Sequence, residues 1–392
     1  MLTRYRPDAK GRAVRKALVY TKNEHGIHKD QIDPEAVRII AHLRNNGYDG
    51  YLVGGAVRDL LIGKIPKDFD IVTNAEPARI KRIFRNSRII GKRFRLVHIF
   101  FGSNIFEVST FRSLEEGTTG NSFGTMDEDV QRRDFTMNAL YYDPIKEQLV
   151  DYVGGVRDIR AKKLKEVIPL KTIFIDDPVR MIRAIKYAVS TGCTIPFRLG
   201  RRIRKSSALL LPVSPSRLTE ELIKILNSGR SQHIVQEALK YDLYMYLQPA
   251  ACSLFDDSPS YAHSYSESLS ELDRLIGTGE DVRLGRKLVP LIKDLLQRIT
   301  DWNGNPADVY HHVYHECRRF IMPMNPPRIE LEYAVRYCLK EGGLSIRIPR
   351  QRERDNKRKE GDVKQAPGEN QSAPRKRRRN RRKPVTTISA SQ

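Results

Sequence analysis

Tryptophan occurs once in these 392 residues, aromatic residues make up 8%, and the four cysteines (Cys193, Cys252, Cys317 and Cys338) form no CxxC pair. That spacing argues against a disulfide framework and a cysteine zinc site, and it fits a reducing compartment. No apolar run approaches the ~18 residues a membrane-spanning helix needs, and the opening MLTRYRPDAK carries charge where an export signal would be apolar. The expectation is a cytoplasmic protein with no membrane partner. A P-loop is missing as well: Gly63 and Lys64 are adjacent, but GxxxxGK[ST] needs glycine where Arg58 stands and Ser or Thr where Ile65 stands.

Acidic residues are also scarce beside basic ones, 47 against 70, leaving a formal net charge of +23. Residues 347–383 alone hold 16 Lys or Arg against 5 Asp or Glu, about half of that excess. Such an excess attracts polyanions, nucleic acid first among them. His311, His312 and His315 could bring two imidazoles to one helical face, but with no second ligand cluster they read as packing or surface residues.

The 40% apolar content is enough for sizeable cores. Residues 1–31 read as a flexible N-terminal segment. DPEAVRIIAHLRNNG then predicts a helix with Asp33 as N-cap, Pro34 at its first position and Gly47 past its end. YLVGG reads as a strand, AVRDLLIG as a short helix, DFDIV as a strand, NAEPARIKRIF as a helix, and RFRLVHIFF with NIFEVSTF as a strand pair. From Asp176 strand signals fade and helical periods take over. The tail, from residue 344 to 392, is rich in charge, Pro, Ser and Gln and has too little apolar content for a core, so disorder is expected there.

The chemistry-bearing stretch is GGAVRDLLIGKIPKDFDIV, residues 54–72. Asp68 and Asp70 flank one residue, so an extended backbone turns both carboxylates to the same side. Glu107, on the neighbouring predicted strand, would bring a third alongside. Clustered carboxylates repel one another unless cations neutralise them, and two Mg²⁺ ions, or Mn²⁺ in their place, bridging carboxylates and a nucleoside triphosphate are a common solution. Gly54 and Gly55 end a strand and open a helix, where backbone N–H groups can approach a phosphate, and Arg58 follows closely enough to share that anion.

GGAVRDLLIGKIPKDFDIVT, RRDFTMNALYYD, DYVGGVRDI and DDPVRMIRAIKYA, in this order and spacing, resemble the class II nucleotidyltransferase family, which joins bacterial poly(A) polymerases and tRNA CCA-adding enzymes. The resemblance covers about residues 25–230. It implies an α/β polymerase-beta-like head (32–165), an all-α neck (166–230) that binds nucleobase and RNA, an all-α body (231–343) and the disordered basic tail (344–392).

The same resemblance implies that Asp68 and Asp70 are metal ligands. It places Arg133, Asp134 and Asn138 by the triphosphate and ribose, with either Asp134 or Glu107 as the third catalytic acid. The nucleobase-reading motif falls on Asp176, Asp177 and Arg180, with Arg183 in the same set, and Asp176 stands where the family usually has Glu. Arg217 and Glu221 of PSRLTEEL resemble the motif supporting the base pocket.

Within the family, IIGKRFRLVHIFF, with Lys92, Arg93, Phe94, Arg95 and His98, resembles the segment that sets bacterial poly(A) polymerases apart. The implied activity is template-independent addition of AMP from ATP to single-stranded RNA 3′ ends in RNA processing and decay, the basic tail grasping RNA or RNA-decay proteins. CCA addition to tRNA is the alternative. A catalytically inactive RNA-binding protein is a second alternative, disfavoured by retention of Asp68, Asp70, Glu107, Asp134 and Arg180.

Overall fold

The computed structural model describes residues 2–7, 13–91, 96–114 and 123–346, and its nine strands form one mixed sheet. They are β1 (Leu2–Pro7), β2 (Ala13–Tyr20), β3 (Gly50–Val53), β4 (Asp70–Thr73), β5 (Ser87–Ile90), β6 (Leu96–Phe101), β7 (Asn104–Thr110), β8 (Leu140–Asp143) and β9 (Gln148–Asp151), in the spatial order β1-β2-β9-β8-β3-β4-β7-β6-β5. Among the described residues β4 and β7 are the one parallel pair.

Register positions the site. Val53 lies opposite Asp70, Ile71 pairs with Val108, and His98 lies opposite Glu107. The end of β3, where the glycine pair begins, therefore meets the start of β4, and Glu107 stands beside it on β7. The Pro34–Asn45 helix buries Ile39, Ile40 and Leu43 against this sheet. It comes so close that a side chain at Gly50 would meet Ile40 Cγ2 at 3.3 Å. As the pattern predicts, Asp33 caps this helix by accepting the Glu35 N–H at 2.8 Å, and Pro34 takes its first position.

The N-terminal segment departs from expectation. Residues 2–7 and 13–20 are strands, not a flexible lead: β2 pairs with β1 and with β9, Leu18 opposite Asp151 and Tyr20 opposite Leu149. Ala17, Val19 and Tyr20 are buried. The inward step of two between Ala17 and Val19 is a strand period masked by the flanking Arg15 and Lys16, which is why composition alone misreads it.

After β9 the described chain is helical, from Gly155–Arg160 to Arg328–Glu341, and the described residues up to Ser345 form one compact unit. The expected disorder of the tail falls on residues 347–392, outside the described residues. No described helix is long and apolar enough to cross a membrane. The four cysteines are free, and His311, His312 and His315 all face solvent.

Candidate active site

Asp70 opens β4, and Asp68 lies two residues before it, outside the hydrogen-bonded strand. The protein packed around Asp70, then the charges of Glu107 and Asp68, push its carboxyl up to about 6, although it still reaches solvent at the mouth of the site. Glu107 is tied to His98 at 3.2 Å. Among the described residues no group of three or more His, Cys, Asp or Glu is arranged to hold a metal unaided. Mg²⁺ commonly takes one or two carboxylates and completes its shell with water and substrate phosphates, so the Asp70 carboxylate at a solvent-facing mouth, with Asp68 and Glu107 near enough to act on its charge, fits such an ion.

The glycine pair brings cations to the same place. Gly54 adopts φ 68, ψ −127, a conformation closed to side chains, and caps the Gly55–Leu61 helix. A Cβ there would lie 3.7 Å from Arg133 Nη1 and 3.9 Å from Asp70 Oδ2, so Gly54 sits between the two charges. A Cβ on Gly55 would lie 3.6 Å from Arg58 Nη2. Arg58 donates to Asp59 Oδ1 at 3.0 Å and to Asn138 Oδ1 at 3.0 Å.

Arg133 is held harder. It donates to Asp129 Oδ2 at 3.0 Å, to the Tyr141 hydroxyl at 3.0 Å and to the Asn138 carbonyl at 3.1 Å. Burial opposes its charge, but Tyr141 and Asp129 more than offset that and hold the guanidinium firmly protonated. Asp129 and Tyr141 escape a motif reading of RRDFTMNALYYD, yet Asp129, on the Met126–Gln131 helix, stands four residues before Arg133, which lies just past that helix's end, and the two pair at 3.0 Å.

Asp134 points elsewhere. Its Oδ1 accepts from the Phe135 N–H at 2.8 Å and from Asn138 Nδ2 at 3.2 Å, while Oδ2 meets Arg183 at 2.9 Å. Arg183 belongs to the Arg180–Thr191 helix and also donates to the Tyr187 hydroxyl at 3.2 Å. The Tyr187 ring carries the Arg58 guanidinium 5.1 Å from its centroid and the Lys186 ammonium at 5.4 Å. Tyr187 thus stands between a head cation and a helix cation, a role that its spacing of four from Arg183 could have signalled. Lys64 adds a further tie, donating to the Ser190 carbonyl at 2.6 Å.

The side chains of Asp177 and Arg180 do not pair with each other, although the Arg180 backbone N–H donates to the Asp177 carbonyl at 3.1 Å. Arg217 reaches Asp177 Oδ1 at 2.8 Å, whereas Arg180 donates to the Ile173 carbonyl at 3.1 Å and faces Asp176 at 3.9 Å. Burial lowers the Arg180 pKa, with Asp177, Asp134 and Asp176 opposing that shift. Arg217 and Glu221, though four apart, do not pair either. Glu221 holds Lys186 at 2.6 Å and Lys224 at 3.3 Å, and Lys224 is near enough to act on the charge of Asp70. Of the segment GKRFRLVH, residues 92–95 lie outside the described residues, leaving His98 on β6 beside Glu107.

The chain shares its sequence with known proteins. Residues 50–165 match the family described as the Poly A polymerase head domain, and residues 194–255 the one described as the probable RNA and SrmB-binding site of polymerase A. Poly(A) polymerase I of Salmonella typhimurium is 38% identical over 256 residues, covering 61% of this chain and 55% of that protein. A CCA-adding enzyme of Geobacillus is 33% identical over 219 residues, 54% of each chain. The Bacillus stearothermophilus CCA-adding enzyme, crystallised with CTP, shares the fold with a TM-score of 0.54 and 23% identity over 86% of this chain and 90% of that one. The chain spans little more than half the length of the two curated relatives.

Proposed function

We propose that this chain, whose residues 50–165 belong to the poly(A) polymerase head-domain family, is a template-independent polymerase that transfers AMP from ATP to single-stranded RNA 3′ ends in RNA processing and decay. The observation that carries the reaction type is the meeting of the Asp70 carboxylate, with Glu107 near enough to act on its charge, and the Arg133 cation around Gly54. That arrangement suits a triphosphate: one side binds its anionic oxygens directly, the other through divalent cations.

Asp68 and Asp70 would hold Mg²⁺ or Mn²⁺, which supplies Lewis-acid activation of the RNA 3′ hydroxyl and neutralises charge on the leaving pyrophosphate. Glu107, adjacent to Asp70 on the parallel neighbour, is the third acid in this reading, because Asp134 is committed to Arg183. Arg58 and Arg133 bind the triphosphate, already oriented by Asn138, so little conformational freedom is lost when it arrives. Asp177 and Arg180, each fixed by a different partner, present an acceptor and a donor to the base.

The choice of adenine rests on the higher identity to poly(A) polymerase I, 38% against 33% for the CCA-adding relative. The basic residues 347–383 would add sequence-independent affinity through RNA phosphates, and offer a place for RNA-decay proteins. Four unpaired cysteines suit work in the cytoplasm. CCA addition is the second reading, favoured by the fold shared with CCA-adding enzymes.

The deciding experiment supplies each triphosphate singly to purified protein with an unstructured RNA or a tRNA lacking CCA. Long adenylate tracts on the unstructured RNA are the expected result. Two C residues and one A on the tRNA, followed by arrest, would establish CCA addition instead.

A further inference from the structure

Helices Ser231–Lys240, Pro249–Asp257 and Pro259–Gly277 enclose a cavity of about 710 Å³ that the reaction above does not use. Leu239, Met245 and Phe255 line its apolar part, over a base where the Tyr244 and Tyr265 hydroxyls meet at 2.7 Å. Leu239 and Met245 remain 38% and 49% exposed. Leaving such side chains in water is unfavourable, and a covering partner removes that penalty.

The charge of this groove is the reverse of the protein's. In a chain with 70 Lys and Arg, none lines it, and its charged members are Asp242 and Asp256. Asp256 has no ion-pair partner among the described residues; Asp242 faces Arg204 at 3.8 Å, both side chains more than half exposed and so well screened. A phosphate backbone entering the groove meets two carboxylates and no lysine or arginine among its lining residues, Arg204 standing outside it against Asp242. The Phe197–Ser206 helix, with Arg198, Arg201 and Lys205 exposed, offers RNA a face of the opposite character.

We infer that this groove docks a basic amphipathic helix of a protein partner. Apolar anchors on one face of that helix enter among Leu239, Met245 and Phe255, and flanking Lys or Arg side chains meet Asp242 and Asp256. Acidic rim and apolar floor together select against both RNA and acidic helices.

The test uses the full chain and three probes: a synthetic amphipathic helix of Leu and Lys, its Leu and Glu counterpart, and a single-stranded adenylate RNA. Titration calorimetry should show the Lys helix binding, the Glu helix not binding, and a loss of ~tenfold or more for the Lys helix in Met245→Arg, the scale of a central anchor. Asp256→Lys should weaken the Lys helix as well, with RNA affinity and AMP incorporation at wild-type level in that variant, and because both replaced side chains are exposed neither substitution should move the melting temperature. Equal binding of the two helices, Lys-helix binding indifferent to both substitutions, or loss of RNA affinity in Asp256→Lys would overturn the assignment. Concentration-dependent dimerisation abolished by Met245→Arg would overturn it in favour of a second copy of this chain.

Discussion

The Arg183 guanidinium lies 2.9 Å from the Asp134 carboxylate, and this contact joins the mixed-sheet region to the helix that carries Arg180. Asp134 is only 5% exposed, so losing its cation leaves a buried acid with two N–H donors alone. Arg183→Ala is expected to cost about 1–3 kcal/mol in urea unfolding, with Arg183→Lys recovering part of it. An unchanged midpoint in Arg183→Ala would show that the contact does not join the two regions.

Asp70 gives a pH signature. Its carboxyl is raised from 3.8 to about 6 in the folded protein, so the folded state holds this proton more tightly than the unfolded one. The resulting stabilisation is full below pH ~4 and is lost as pH rises through ~6. Asp70→Asn removes that loss, and its urea midpoint relative to wild type should rise between pH 4 and pH 8. The same variant should lose incorporation by several orders of magnitude with RNA binding intact, and wild type at pH 6 should release protons when Mg²⁺ and ATP are added.

Arg180→Ala should reduce the ATP over CTP preference in kcat/KM by a factor corresponding to about 1–3 kcal/mol, since an unmatched group in the base pocket costs that much. Arg217→Met should produce a smaller loss of the same preference, because it frees Asp177 without removing it. Equal kcat/KM ratios in wild type and both variants would take base reading away from this pair.

Gly54→Ala has room for its methyl group but not the backbone for it: the nearest atoms are 3.7 and 3.9 Å away, while φ is 68 with ψ −127. The substitution should destabilise by about 1–3 kcal/mol and raise KM for ATP as the Arg133 side of the turn shifts. Thermal unfolding and initial rates measure the two effects separately.

Removing residues 347–392 should leave the candidate active site intact and flatten the dependence of RNA affinity on salt, because up to 16 cations no longer displace counterions. Equal slopes of affinity against salt for both chains would assign the tail to another task.

Local signals made much of the site legible. The Asp33 cap, the GG turn and the Asp70 and Glu107 strands follow from spacing and turn chemistry, which act over a few residues. The network around Tyr187 does not, because its members come from positions 58, 134, 183 and 187 and meet only once the sheet and the helical region are packed. The same holds for Arg217 and Glu221. Their spacing suggests a pair along one helix, yet each finds a stronger partner on the Asp177 or Lys186 side. The N-terminal strands were obscured for another reason: two buried apolar positions among basic neighbours carry too weak a periodicity to outweigh composition.

That hairpin also decides where the catalytic region can be cut. A fragment begun at residue 32 would keep every residue assigned to the active site, yet it would strip β1 and β2 from the sheet and leave the backbone groups of β9 that bind Leu18, Val19 and Tyr20 unmet. An uncovered strand border of that kind recruits a neighbouring molecule. A catalytic fragment that keeps β9 covered therefore begins before Ala13, although the chemistry begins at Gly54.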